Sequence, residues 1–401
     1  MPIQLWPHQL EALDRLADGN ILIGEVGSGK SRVALAYYYM WVCEGGLSIN
    51  GVGEDAKMLS PRDLYIITTA KKRDSLEWEG DASETGLSTS RKLSWNDVQV
   101  TVDSWNNIAK YKDVENGFFI LDEQRLVGNG SWVQSFLKIA AKNRWVLLSA
   151  TPGDTWIDYV PVFVANGFYK NRSEFIEHHV IWKPFSKFPQ IDRYMGSGKL
   201  EMLRRRISVA MPVERHTVRH EELVDVVYDR VAMDLILKKR WNIFKEKPLR
   251  NKAEMIIAAR RMVNVDPSRL EVVRELINQH PKLIIFYNFN DELDILKTLE
   301  GDVDIAEWNG HKHEPIPNSD RWVYLVQYTA GSEGWNCVET NAMVFYSLSY
   351  SYRVMEQARG RIDRMNTPFT DLYYYTLRSN SRIDASIMKA LRAKRNFNKR
   401  D

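Results

Sequence analysis

The chain has 401 residues, of which 44% are hydrophobic and 27% charged, with a formal net charge of +3. That size and balance suit two or three ordinary globular domains and exclude a disordered or coiled-coil chain. No run of 18 apolar residues occurs, and the start MPIQLWPHQLEALDRL lacks the basic-then-apolar order of a secretory signal. Two cysteines far apart, Cys43 and Cys337, support neither a disulfide framework nor a structural zinc site. A cytoplasmic protein is expected.

In chain order, short apolar or β-branched runs alternate with helix-like stretches. The predicted strands of the first half are Asn20–Val26, Leu64–Thr69, Val98–Trp105, Phe118–Asp122 and Trp145–Ser149. Those of the second half are Leu283–Phe289, Val303–Trp308, Trp322–Tyr328, Met343–Leu348 and Leu372–Leu377. Near-continuous apolar strands separated by helices imply parallel sheets covered on both faces. Two sets of five predict two α/β domains in tandem. Thr155–Glu222 shows few strand signals and reads as a helical insertion that ends in the connection between them. Met211-Pro212 marks the boundary, because proline discourages helix continuation. The expected domains are therefore 1–212, with a helical extension from about 155, and 213–401. Gly45–Pro61, rich in Gly and Ser, reads as a loop.

Positive charge is segregated. Residues 238–261 hold nine Lys/Arg against two Glu, and residues 381–401 hold seven Lys/Arg against two Asp. Such patches suit a polyanionic partner, although solvated helix faces also carry charge runs.

Residues 24–31 read GEVGSGKS, a match to G-x-x-x-x-G-K-[ST] lying between a predicted strand and a predicted helix. In that context Gly24, Gly27, Ser28 and Gly29 let backbone N–H groups fold around phosphates. The helix start adds a positive dipole end. Lys30 is expected to reach the β- and γ-phosphates of ATP, and Ser31 to hold Mg²⁺. The apolar strand FFILDE then ends in Asp122-Glu123. Asp122 is expected to hold Mg²⁺ through water, and Glu123 to polarise the attacking water. Ser149-Ala150-Thr151 supplies small hydroxyls in a position to bond to the acidic loop.

These segments, with those of the second half, resemble superfamily 2 helicases. GSGKS, LDEQR and LLSATP are similar to the motifs of a first motor lobe. KLIIFYNFNDELDIL (282–296) is similar to the start of a second lobe, VQYTAGSEGWN (326–336) to the fifth helicase motif, and EQARGRIDRMN (356–366) to the sixth. The fifth and sixth resemble most the Swi/Snf-type DNA translocases, and the compact size resembles phage-encoded members. The acidic motif departs from the usual pattern, with Gln124-Arg125 after the carboxylate pair, and Glu333 and Trp335 fall at positions that vary among relatives.

The resemblance implies two tandem RecA-like domains, a cofactor of ATP with Mg²⁺, and DNA as partner, duplex above single-stranded. It implies that Gln9 reads the adenine and that Gly334 passes close to the ribose. It makes Gln357, Arg361 and Arg364 catalytic together with Glu123. The spacing of the two arginines, one helical turn, points both in one direction. It also puts nucleic-acid contacts at Thr69, Lys71, Ser104, Asn288, Asn290 and Thr329, on sheet ends opposite the ATP. If phage-encoded, the protein works in the host cytoplasm. An ATP-dependent DNA translocase or helicase is the leading expectation. An RNA helicase, or a nucleotide-gated DNA-binding module that remodels or recruits a partner, stands beside it.

Overall fold

The computed structural model describes residues 5–25, 27–45, 47–48, 51–52, 58–94, 97–123, 126–185, 188–212, 215–331, 335, 337–364 and 366–398. The chain forms two compact units, Met1–Glu214 with Phe397–Asp401, and Arg215–Asn396.

The first unit is built on six parallel strands: β1 Ile21–Ile23, β2 Leu64–Thr68, β3 Val100–Ser104, β4 Phe118–Asp122, β5 Arg144–Ser149 and β6 Ser208–Ala210. Their order across the sheet is β6-β1-β5-β4-β2-β3, every pairing parallel. Apolar side chains run continuously along the strands and alternate between two cores. Leu22, Ile66, Ile120 and Leu148 pack with Val33, Leu35 and Tyr38 on one face. Ile21, Ile67, Phe119 and Leu147 pack with Phe136, Phe163, Leu200 and Leu203 on the other. This two-sided burial is why the strands read as unbroken apolar runs.

The second unit repeats the plan with β7 Val218–Val226, β8 Lys282–Tyr287, β9 Asp304–Trp308, β10 Trp322–Gln327, β11 Ala342–Phe345 and β12 Asp371–Ser379. The order is β7-β12-β11-β8-β10-β9, again all parallel. Ile285, Val323 and Val344 face Val273, Ile277 and Leu296. Ile284, Phe286 and Phe345 face Met355, Ala358 and Ile387. A smaller cluster of Met233, Ile236, Ala258, Ala259, Met262 and Val263 joins the helices Arg230–Leu237 and Lys252–Asn264. A two-stranded ribbon, Trp241–Asn242 with Lys247–Pro248, lies between these helices in sequence.

All ten expected strands form, with ends moved by at most three residues and Phe118–Asp122 unchanged. The stretch 155–222 holds the expected helices, Val160–Ala165, Arg172–His179 and Ser197–Ile207 among them, and also strands that were not expected. Its helices lie on the first sheet, where Phe163, Leu200 and Leu203 complete the core. It also holds an antiparallel pair, Val180–Trp182 with Ile191–Tyr194, and supplies β6 and most of β7. Each sheet therefore has six strands rather than five. No helix among the described residues is long and apolar enough to cross a membrane.

Candidate nucleotide site and arginine loop

In a parallel sheet all strands end on one edge. The loop after β1, the end of β4 and the end of β5 consequently come together on the first unit. The Gly24 N–H donates to the Ser149 carbonyl at 3.1 Å, tying the loop to β5. Gly27 and Gly29 have φ of 82° and 81°, a left-handed conformation that favours glycine. Gly29 also admits a close approach, since a Cβ there would lie 2.2 Å from Gln9 Nε2. The helix Lys30–Tyr37 starts at that point.

Lys30 Nζ donates to the carbonyls of Gly24, at 2.7 Å, and Glu25, at 2.8 Å. Burial, partly offset by the carboxylates of Asp122 and Glu123, brings its pKa down to about 8. The Ser28 hydroxyl is buried and has no partner among the described residues. A cradle of left-handed glycines holding a desolvated ammonium and an unpartnered hydroxyl fits a polyphosphate. Gln9 is buried, accepting from the Trp6 N–H at 2.9 Å and donating to the Ser28 carbonyl at 3.1 Å. It braces the loop from behind.

Asp122 is 2% exposed. Three donors converge on its Oδ2: Thr68 Oγ1 at 2.9 Å, Lys72 Nζ at 2.9 Å and Trp78 Nε1 at 3.1 Å. Burial pushes this carboxyl up, but Lys72 and the three hydrogen bonds outweigh it and hold it below the usual carboxylate range. Lys72 moves the other way: burial lowers it, and the two carboxylates raise it well above an ordinary lysine. Lys72 Nζ also lies 3.8 Å from Glu123 Oε1. Glu123 has φ of 54°, an uncommon conformation for a non-glycine residue, and its side chain is 27% exposed. Among the described residues no group of three or more His, Cys, Asp or Glu is gathered to hold a metal. A Mg²⁺ ion takes few protein carboxylates and relies on substrate phosphates and water. Ser31 and Asp122 fit that donor set.

Thr68, Lys72 and Trp78 were not foreseen from sequence. Their role follows from β2 lying beside β4, with Ile67 opposite Leu121, so that residues after β2 reach the end of β4. The Ser149 hydroxyl accepts from the Thr151 N–H at 3.1 Å, within its own turn.

Of the expected nucleic-acid residues of this unit, Thr69 and Lys71 follow β2 and Ser104 ends β3. They share the sheet edge of the phosphate loop, not an opposite one, because the strands are parallel. Thr69 is buried and caps the short helix Ala70–Asp74 by accepting from the Lys72 N–H at 3.3 Å. Ser104 is buried and accepts from Arg73 at 3.4 Å. Lys71 is half-buried.

In the second unit, Asn288 directs its amide inward, donating to Ser347 Oγ at 2.8 Å and to the Leu348 carbonyl at 3.2 Å. Asn290 and Thr329 are exposed. Gln357 is half-buried on the helix Tyr352–Arg359. That helix stops at its cap, Gly360, so Arg361 and Arg364 lie in the following loop and not one helical turn apart. Arg361 is 6% exposed, donates to the Trp335 carbonyl at 2.9 Å and stands over the Trp335 ring. Arg364 is 9% exposed.

Asp363, also unforeseen, is fully buried between them. It takes Arg215 at 2.7 Å, Thr217 at 2.8 Å and Arg219 at 2.6 Å, fastening the arginine loop to the chain leading into β7. Burial raises this carboxyl, but the two guanidinium groups and the hydrogen bonds hold it low. Its stabilisation is therefore present above the ordinary aspartate range and is lost as pH falls through the lowered value. Asp363→Asn should lower the stability of the second unit by about 3 kcal/mol, since it removes the charge of a buried carboxylate that two half-buried arginines share. Thermal unfolding followed by circular dichroism at neutral pH checks this, and the difference from wild type should shrink in acid.

Val26, Gln124, Arg125, Glu333 and Gly334 lie outside the described residues.

The basic stretch 238–261 is arranged on the ribbon and its flanking helices. Lys238, Lys239, Arg240, Lys245, Arg250 and Lys252 are exposed, whereas Ile243, Phe244 and Leu249 pack inward.

The fold and site define a protein of two tandem RecA-like domains, the first with a phosphate loop and an acidic strand end. Residues 268–366, within the second unit, match the family model described as helicase conserved C-terminal domain. No curated protein matches the chain at a significant level. Among solved structures, the chain is similar to the Sulfolobus solfataricus SWI2/SNF2 ATPase core in complex with dsDNA, at 15% sequence identity and a TM-score of 0.43. That similarity covers 100% of this chain and 93% of the other.

Proposed function

We propose that the protein is a superfamily 2, Swi/Snf-type DNA translocase or helicase that couples ATP hydrolysis to movement along DNA, in replication, recombination or repair. One observation carries the reading. Lys30, Asp122 and Glu123 converge on one sheet edge, in a chain whose second unit matches a helicase domain. Lys30 exchanges its bonds to the loop carbonyls for the β- and γ-phosphates. Ser28 and the loop N–H groups bind the same oxygens. Mg²⁺, held by Ser31 and by Asp122 through water, supplies charge neutralisation on the phosphates. Glu123 takes the proton of the attacking water. Gln357, Arg361 and Arg364 serve the charge that develops on the transferred phosphoryl group.

DNA is expected to bind through Lys71, Asn290 and Thr329, hydroxyl, amide and ammonium groups suited to phosphate oxygens. The exposed cations of the ribbon add salt-dependent affinity through counterion release. Thr69, Ser104 and Asn288 shape these loops from within.

The test is steady-state ATP hydrolysis by the full chain alone and with duplex DNA, single-stranded DNA or RNA. Duplex DNA should stimulate most, and the effect should weaken as salt rises. Greater stimulation by RNA would move the assignment to an RNA helicase. Hydrolysis indifferent to every polymer would leave a nucleotide-gated binding module.

A further inference from the structure

Lys72 is not part of the phosphate loop, yet its ammonium lies in the acidic end of the site. It belongs to the short helix Ala70–Asp74, directly after β2. Because β2 and β4 are neighbours, this first turn returns over the end of β4. The ammonium lies 2.9 Å from Asp122 Oδ2 and 3.8 Å from Glu123 Oε1, bridging the two carboxylates.

The charges explain the arrangement. Asp122 is almost completely buried, and a carboxylate taken out of water needs a cation and good donors beside it. Glu123 adds a second negative charge next to it. Lys72 meets both requirements without a metal. A purely structural partner would be sealed in with Asp122. The Lys72 side chain is instead 30% exposed, on a flexible four-carbon stem that lets the ammonium withdraw. Thr68 and Trp78 are neutral donors to the same oxygen and keep Asp122 in place when it does.

We infer that Lys72 is a built-in counter-ion that competes with a divalent cation at Asp122, so that the metal enters with the nucleotide rather than before it. This rests on the ATP and Mg²⁺ reading of the site. A cation arriving alone meets a carboxylate already neutralised by Lys72, and the two positive charges repel. A cation arriving on a triphosphate brings excess negative charge, which gives Lys72 a new partner as it leaves Asp122. Lys72 is thus a positioning residue that orders binding.

The experiment measures Mn²⁺ binding to the full chain without nucleotide, from the electron paramagnetic resonance signal of the free ion. Lys72→Met keeps the stem and removes the charge. It should bind Mn²⁺ about tenfold or more tightly than wild type, the effect of removing one charge within a few ångströms at a partly screened site. Adding Asp122→Asn to Lys72→Met should return the affinity to the weak wild-type level. Lys72→Arg, which keeps the charge, should bind as weakly as wild type. If Lys72→Met does not fold, as judged by circular dichroism, Lys72→Gln takes its place. Equal Mn²⁺ affinity in the wild type and the uncharged variant overturns the inference. Tightening that survives Asp122→Asn overturns it as well, because the ion then sits elsewhere. The nucleotide reading is checked apart from this, by binding of ATP to wild type. Mn²⁺ results as expected in a protein that never binds ATP would sink that reading and leave the competition at Asp122 standing.

Discussion

Lys30→Ala removes ATP binding and hydrolysis together and leaves the first unit folded. The lysine holds only the carbonyls of Gly24 and Glu25 in its own loop, and it belongs to neither core of the first sheet. Burial works against its charge and brings its pKa down to about 8, so the fold does not depend on the ammonium. What alanine cannot do is meet the β- and γ-phosphates with a cation. Hydrolysis should fall by about a thousandfold or more, comparable to losing a preorganised electrostatic contact to the transition state. Binding of a fluorescent ATP analogue and steady-state hydrolysis measure the two losses, and thermal unfolding checks the fold. Near-normal turnover would sink the assignment of the phosphate loop.

Glu123→Gln should separate binding from chemistry. The amide keeps the shape of the carboxylate and tolerates the left-handed backbone at this position as well as glutamate does. Lys72 keeps its closer partner, Asp122, so the buried end of the site is unchanged. Only the capacity to accept a proton from water is lost. Turnover should drop by about 10²–10⁴, the range for a positioned general base, while ATP binds as before. Single-turnover hydrolysis beside nucleotide titration reads both quantities. If binding falls along with turnover, Glu123 supports the loop and the base lies elsewhere.

Most of the strands that sequence revealed are buried on both faces, because such strands need apolar residues at nearly every position. The two strands of the six-stranded sheets that it missed are exceptions to that rule. Ser208–Ala210 is three residues long and follows a basic helix, and VRHEELVDV places charges along an edge strand whose side chains are largely exposed. The phosphate loop and acidic pair were legible because their chemistry is local, fixed by spacing within a few residues. Lys72 was not, because its place beside Asp122 depends on which strands are neighbours. Asp363 was hidden for the same reason, since its partners lie about 150 residues away. The misreading of Arg361 and Arg364 was avoidable. Gly360 stands directly before them, and glycine is the commonest end to a helix.

The pairing of β7 with β12 also constrains how the protein is made. These are the first and last strands of the second sheet, joined in register over nine residues, yet their partners lie 153 residues apart in sequence. Among the described residues, β12 is also the only link from β7 to the rest of that sheet. During synthesis β7 emerges early and has no ladder to join until Asp371–Ser379 has left the ribosome. Over that interval its backbone groups are an open edge, the kind that invites pairing with another nascent chain. The charged residues of VRHEELVDV, which hid the strand from prediction, suit it to that wait: they keep the unpaired segment hydrated and make it a poor template for aggregation until its partner arrives.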